Sequence, residues 1–187
     1  MKIFKDKGAL LNGHFRLSSG LHSDQYLQCA LLLQFPDLAE RLCTELAFKI
    51  RELHPSVIIS PAIGGILVGQ EVARALKIRA IFTERNRETD KMELRRGFSV
   101  QSNDRVVAVE DVITTGVSIY ESTQVIEQFG ASVVGVGCLV QRNQQAVKYF
   151  NSPIYSLLQI AVQSWTMEEC PACQKNIPII KPGSRAK

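Results

Sequence analysis

Apolar and polar positions along the chain of 187 residues sort into strand-like runs, helix-like stripes and charged or small-residue breaks. Short β-branched apolar runs, the mark of strands buried on both faces, occupy 57–60, 80–83, 106–109 and 133–140. A further extended run covers 154–160, and a short strand is expected at 98–100. Apolar residues three or four apart predict amphipathic helices over 36–53, 66–76 and 119–129, with a shorter one over 144–150. In the first of these, Leu38, Leu42, Leu46, Ile50 and Leu53 share a face, and Pro36 suits the opening turn. Gly130 closes the third. Residues 84–96 are charged and lack apolar periodicity, so they read as a mobile loop or an irregular hairpin. Upstream, a short helix around 3–11, alternation through Leu17, a Ser18-Ser19-Gly20 turn and an extended run at 26–29 suggest a small cap over 1–35. Strand and helix alternate from residue 57 onward. That order predicts one α/β domain over 1–187, a parallel sheet flanked by helices with a small N-terminal hood.

The pattern places chemistry at one point above all. Val106 to Val109 run directly into Glu110-Asp111, then Val112-Ile113, then Thr114-Thr115-Gly116-Val117-Ser118 and a helix. Open α/β sheets hold ligands at the carboxyl ends of parallel strands. Two acids there can accept hydrogen bonds from vicinal sugar hydroxyls. A turn of small and hydroxyl residues offers N–H and O–H groups to a phosphate, and the following helix adds the positive end of its dipole. Gly64-Gly65, after the 57–60 strand, would allow backbone amides to approach a second anion closely. Acids for a ribose flanked by two anion cradles match a sugar phosphorylated at both ends. An ordinary βα turn with capping Asp and Thr is the plainer alternative.

These segments resemble type I phosphoribosyltransferases. Residues 106–118 are similar to that family's signature for 5-phosphoribosyl-1-pyrophosphate (PRPP). Gly13-His14-Phe15-Arg16-Leu17-Ser18-Ser19-Gly20 with Ser23 and Tyr26 resembles the N-terminal segment of the orotate-using branch. Pro61-Ala62-Ile63-Gly64-Gly65 resembles its pyrophosphate loop, and Arg95-Arg96-Gly97-Phe98 the end of its mobile catalytic loop. The resemblance runs from Gly13 to Arg142. It implies transfer of the phosphoribosyl group from PRPP to N1 of orotate, giving orotidine 5′-monophosphate and pyrophosphate in pyrimidine biosynthesis. It also implies Mg²⁺ brought with PRPP, no metal held by the protein's own residues, and a homodimer whose loops act in trans.

Carried onto this chain, the resemblance gives PRPP to Glu110, Asp111, Val112, Ile113, Thr114, Thr115, Gly116, Val117 and Ser118, with Gly64, Gly65, Arg85 and Arg95. It gives orotate to Thr114 and Arg142, where a guanidinium suits a carboxylate. Lys91, in the middle of the loop, is the cation expected to act with Glu110 and Asp111 in catalysis. The chain departs from the best-known branch in places. The loop carries Arg85, Arg87, Lys91, Arg95 and Arg96 but no histidine; Gly64 replaces a lysine; Ser18 stands where some relatives carry lysine; and Gln141 precedes Arg142 where Asp is common. A shorter loop ending in Leu-Arg-Arg-Gly-Phe fits a second branch.

Composition narrows the alternatives. Hydrophobic residues make up 45% and charged residues 21%, as in ordinary globular proteins. No apolar run approaches the ~20 residues of a membrane span, and Lys and Asp in MKIFKDKGALLNG interrupt any signal-peptide core. A cytoplasmic protein with no membrane partner is expected. The net charge of +4 is concentrated in 85–96 and in the tail from Lys175, without the aromatic interleaving of a nucleic-acid face. P-loop, dinucleotide-binding and nucleophile-elbow motifs are missing. Five cysteines include Cys170-Pro171-Ala172-Cys173, which could be half of a zinc site. No second C-x-x-C exists, and His14, His22 and His54 lie far upstream, so a structural thiol pair is the expectation. Two other functions stay open: transfer to another nucleobase, against which Arg142 and the N-terminal segment argue, and a non-enzymatic PRPP-sensing regulator, which would need a nucleic-acid-binding element.

Overall fold

The computed structural model describes residues 1–17, 19–142 and 149–182. The chain divides into two compact units, one of Met1–Leu32 with Ala161–Lys187 and one of Leu33–Ile160.

The first unit opens with α1 (Lys2–Asp6), followed by β1 (Leu10–Arg16), β2 (His22–Leu27) and a single turn, α2 (Ala30–Leu33), that runs to its boundary. β1 and β2 pair antiparallel as a separate two-stranded sheet. The helix expected over 3–11 is therefore shorter, because Leu10 and Leu11 enter the hairpin and pair with Leu27 and Tyr26. The C-terminal segment, which carries α6 (Pro171–Gln174), joins both edges of this hairpin. That contribution to the N-terminal cap was not anticipated from sequence.

The second unit is built on a six-stranded sheet. Its elements are α3 (Pro36–Ile50), a 3₁₀ turn (Arg51–Leu53), β3 (Val57–Pro61), α4 (Gly64–Leu76), β4 (Arg79–Arg85), β5 (Met92–Leu94), β6 (Arg105–Ile113), α5 (Val117–Gln128), β7 (Ser132–Arg142) and β8 (Ile154–Ile160). The sheet order is β5-β4-β3-β6-β7-β8. All neighbours are parallel except β4 and β5. α3 and α4 pack together on one face, and α5 packs on the strands from the other. Helices on both faces require strands apolar throughout, and every residue of β3 is buried. Val57, Ile59, Val106, Ala108, Ile119 and Ile126 belong to one continuous core.

Several boundaries differ from expectation for identifiable reasons. The α3 stripe is centred on Ala39, Cys43, Leu46, Ala47 and Ile50, with Leu38 and Leu42 at its margin. Residues 51–53 tighten into 3₁₀ geometry before His54, which takes a left-handed φ of 48°. Segment 84–96 takes the hairpin alternative: β4 and β5 pair through Glu84↔Glu93 and Arg85↔Met92. Asn86 shapes its turn, since Oδ1 accepts from Glu88 N at 2.9 Å and Nδ2 donates to Glu93 at 2.9 Å. Residues 98–100 form no strand; Phe98 instead meets Phe82 edge-on at 5.0 Å between ring centroids. The helix expected over 144–150 falls almost wholly outside the described residues. No helix among the described residues is long and apolar enough to cross a membrane.

Candidate active site

β6 is longer than its apolar run. Glu110 pairs in register with Cys138, Val112 with Val140 and Ile113 with Gln141, so the acid pair lies inside the strand's last turn of pleat and not beyond its end. The reason is β7, which reaches Arg142 and supplies ladder partners that far. Both carboxyl groups thus hang from hydrogen-bonded backbone, a rigid mount for groups that must meet a ligand.

Both side chains are half-buried. Burial pushes the Glu110 carboxyl up to about 8, with the neighbouring Asp111 charge adding to the shift. Burial also raises Asp111, against the opposing effect of its hydrogen bond from Val112 N–H at 2.8 Å. Half-buried, mutually repelling carboxyls favour a partner that brings hydroxyl donors or positive charge.

The turn after β6 begins with exposed Thr114 and Thr115 and ends at Gly116, which caps α5 with a left-handed φ of 81°. Glycine alone takes that conformation at little cost. The first N–H groups of α5 have no intrahelical acceptor, and Thr114, Thr115 and Ser118 flank this terminus in sequence. Val117 is exposed at the same end. This first turn is anchored from below. Ser122 Oγ donates to Ser118 O at 3.0 Å and accepts from buried Thr83 Oγ1 at 2.7 Å, tying α5 to β4.

Gly64 and Gly65 open α4 instead of sitting in the loop before it. A β-carbon at Gly64 would stand 3.2 Å from Asp111 Oδ1. At Gly65 it would meet Ser60 Cβ at 3.0 Å and the Val109 carbonyl at 3.3 Å. The absence of side chains lets the α4 terminus approach the acid pair. The expected pyrophosphate loop and the expected ribose acids are therefore neighbours in space.

The cations are divided. Arg85 is held by Glu121 of α5, with Asp90 beyond, and Arg96 makes a two-pronged contact with Glu84 at 2.7 and 2.8 Å. Arg96 in turn holds the Glu84 carboxyl below the usual range. Lys91 and Arg95 are exposed on the same hairpin, and among the described residues neither enters an ion pair. Arg142, the last residue of β7, is buried and pairs in register with Ile160.

A mixed, mostly parallel sheet with an acid pair near a strand end, running into a helix N-terminus rich in hydroxyl residues, is the arrangement expected of an α/β protein that binds a phosphosugar. The model of the phosphoribosyl transferase domain matches residues 34–168. The chain belongs to the phosphoribosyltransferase family and is accordingly a transferase. It is 49% identical over 186 residues to an orotate phosphoribosyltransferase of Carboxydothermus hydrogenoformans, covering 98% of this chain and 96% of that one. It is 50% identical over 183 residues to that of Pelotomaculum thermopropionicum, covering 98% and 95%. Among solved structures it is similar to orotate phosphoribosyltransferase from Aeropyrum pernix, with a TM-score of 0.73, 28% identity and coverage of 85% and 92%.

Proposed function

We propose that this protein transfers the 5-phosphoribosyl group from PRPP to N1 of orotate, yielding orotidine 5′-monophosphate and pyrophosphate. The observation that carries this reading is the convergence of Glu110 and Asp111, the Thr114–Ser118 turn and the Gly64 terminus of α4 in one unit. The orotate-named relatives, at about half identity over nearly the whole chain, support orotate as the base.

In this mechanism Glu110 and Asp111 accept hydrogen bonds from the ribose hydroxyls. Backbone N–H groups and hydroxyls of residues 112–118 hold the 5′-phosphate, and Gly64 and Gly65 leave room for the pyrophosphate. The bond from orotate N1 to C1 forms as the C1–oxygen bond breaks, and pyrophosphate leaves with the bonding pair. Positive charge grows at C1 during this exchange, so fixed carboxylates and a water-excluding hairpin lower the barrier. Mg²⁺ bound to PRPP would neutralise the departing pyrophosphate, and the all-oxygen donor set at 110–111 suits that ion. Thr114 and Arg142 recognise orotate, Arg142 through its carboxylate. Arg85 and Arg95 assist at the pyrophosphate side. The five cysteines form no disulfide, which suits the reducing cytoplasm as compartment.

The functional unit in this proposal is a homodimer in which Lys91 acts on the partner's substrate. Its support is the exposure of Lys91 in the turn between β4 and β5. Mixing Lys91→Ala with Asp111→Asn subunits should restore activity, because one site of each mixed dimer keeps both residues. No recovery despite confirmed mixed dimers would place Lys91 in cis or outside catalysis. The reaction itself is tested by incubating the protein with PRPP, Mg²⁺ and each nucleobase in turn. Pyrophosphate release is expected with orotate; release only with a purine or uracil, or with none, would overturn the proposal.

A further inference from the structure

The first unit buries an unusual set of side chains. His14, His22 and Cys170 are almost fully buried, and Cys173 is half-buried beside them. His14 Nε2 lies 3.0 Å from His22 Nδ1 and 3.5 Å from the sulfur of each cysteine; His22 Nδ1 lies 3.1 Å from Cys173 Sγ. All four atoms are within 4.8 Å of one another. Zinc–nitrogen and zinc–sulfur bonds of about 2.0–2.1 and 2.3 Å, set tetrahedrally, require edges of roughly 3.3 Å for N···N, 3.5 Å for N···S and 3.8 Å for S···S. The N···N distance and the three N···S distances given above follow that pattern to within a few tenths of an ångström, and the remaining two pairs lie within 4.8 Å.

The backbone shows how the cluster is assembled. Trp165 exchanges backbone hydrogen bonds of 2.8 and 2.9 Å with His22 at the β2 edge. At the β1 edge, Ile180 N donates to His14 O at 2.8 Å, and Arg16 N donates to Ile180 O at 2.9 Å. The segment between Trp165 and Ile180 thus starts on one edge of the hairpin and finishes on the other. Cys170-Pro171-Ala172-Cys173 sits midway along it and meets both histidines. Pairing a hairpin with a remote C-x-x-C turn supplies the half-site that the sequence seemed to lack.

The hydrogen bond on the far side of the ring fixes what His14 offers to the cluster. His14 Nδ1–H donates to Ile177 O at 2.8 Å, and a carbonyl can only accept. The neutral ring therefore presents a lone pair at Nε2, aimed at one nitrogen and two sulfurs. The two thiol hydrogens are the donors available to the lone pairs gathered here. A cation at their centre satisfies every lone pair together. The Ile177 carbonyl acts as the outer partner that fixes ring orientation and tautomer in metal-binding histidines.

We propose that His14, His22, Cys170 and Cys173 form a structural zinc site that fastens the C-terminal segment to the N-terminal hairpin. Two thiolates and two imidazoles select zinc over hard cations. Four protein ligands leave no open position, so the site is closed and does no chemistry on substrate. The inference is independent of which nucleobase, if any, the other unit uses.

Metal analysis of the full chain, purified without chelator, should find about one zinc per chain. Replacing zinc with Co²⁺ should give the visible bands of a tetrahedral ion and a near-ultraviolet thiolate-to-cobalt band. Cys170→Ser with Cys173→Ser should lose both zinc and that band. Because that variant can also misfold, His22→Cys provides a second check: it should retain metal and strengthen the thiolate band, whereas His22→Ala should release it. Protein that carries little zinc and takes up no Co²⁺ would overturn the proposal. So would cobalt binding that survives loss of both cysteines, or a Cys170–Cys173 disulfide recovered from protein purified without air.

Discussion

The two units solve the problem of staying folded in different ways. The unit of Leu33–Ile160 encloses β3, β6 and β7 between helices, and a continuous apolar core runs from Val57 through Ile126 to Cys138. The unit of Met1–Leu32 and Ala161–Lys187 has a two-stranded sheet and a short list of buried apolar residues, chiefly Phe4, Leu10, Phe15, Leu27 and Leu32. An isolated hairpin is marginal in water, and units of this size usually need a staple. Where apolar burial suffices, the strand ends are free to carry half-buried acids such as Glu110, whose carboxyl burial pushes up to about 8. Where it does not, the buried groups include His14, His22 and Cys170, with Cys173 half-buried beside them, and the site proposed there serves stability.

The largest expected effect separates the units directly. A chelator strong enough to remove zinc should expose amides of 1–17 and 161–182 to hydrogen exchange while β3 and β6 remain protected. Ile59→Ala should act on the other unit, lowering its stability by about 2–5 kcal/mol through an unfilled core volume. Uniform loss of protection in both experiments would erase the contrast. A smaller effect is expected at the acids. Asp111→Asn removes a charged acceptor worth about 1.5–3 kcal/mol, or roughly ten- to a hundred-fold in turnover, with the thermal midpoint maintained. Glu110→Gln should cost less in rate.

Glu110 also makes a pH prediction, smaller still. Its folded-state pKa is raised from 4.5 to about 8, so the folded state holds the proton more tightly than the unfolded chain. This contribution is fully present below pH about 4.5 and is lost as pH rises through about 8. The unfolding midpoint of the wild type should therefore fall relative to Glu110→Gln across that window. Parallel curves would show that the carboxyl is solvated and ordinary.

Much of the second unit could be read from sequence because its signals are local. The apolar 106–109 run, the acids and the Gly116 turn act within a dozen residues, and the strand over 154–160 agrees with β8 end to end. What escaped was set by neighbours distant in sequence. β6 extends through Glu110 and Asp111 because β7 offers partners, which no property of polar residues announces. β5 is three residues within a charged stretch, fixed by β4 and the side chain of Asn86. The union of His14 with Cys170 spans 156 positions, so the C-x-x-C looked like half a site. A buried histidine pair in a hairpin was the available clue, but it has meaning only once the hairpin's edges are known.

The proposed function divides labour within the second unit: Asp111 would hold the sugar of PRPP, and Arg142 would read the base. Equilibrium binding of PRPP and of orotate, each measured with Mg²⁺ on wild type, Asp111→Asn and Arg142→Ala, tests it most directly. Asp111→Asn should weaken PRPP by roughly ten-fold or more, the scale of one charged hydrogen bond, and Arg142→Ala should weaken orotate far more than PRPP. Equal losses of both ligands in each variant would contradict the account, since both residues would then only support the fold.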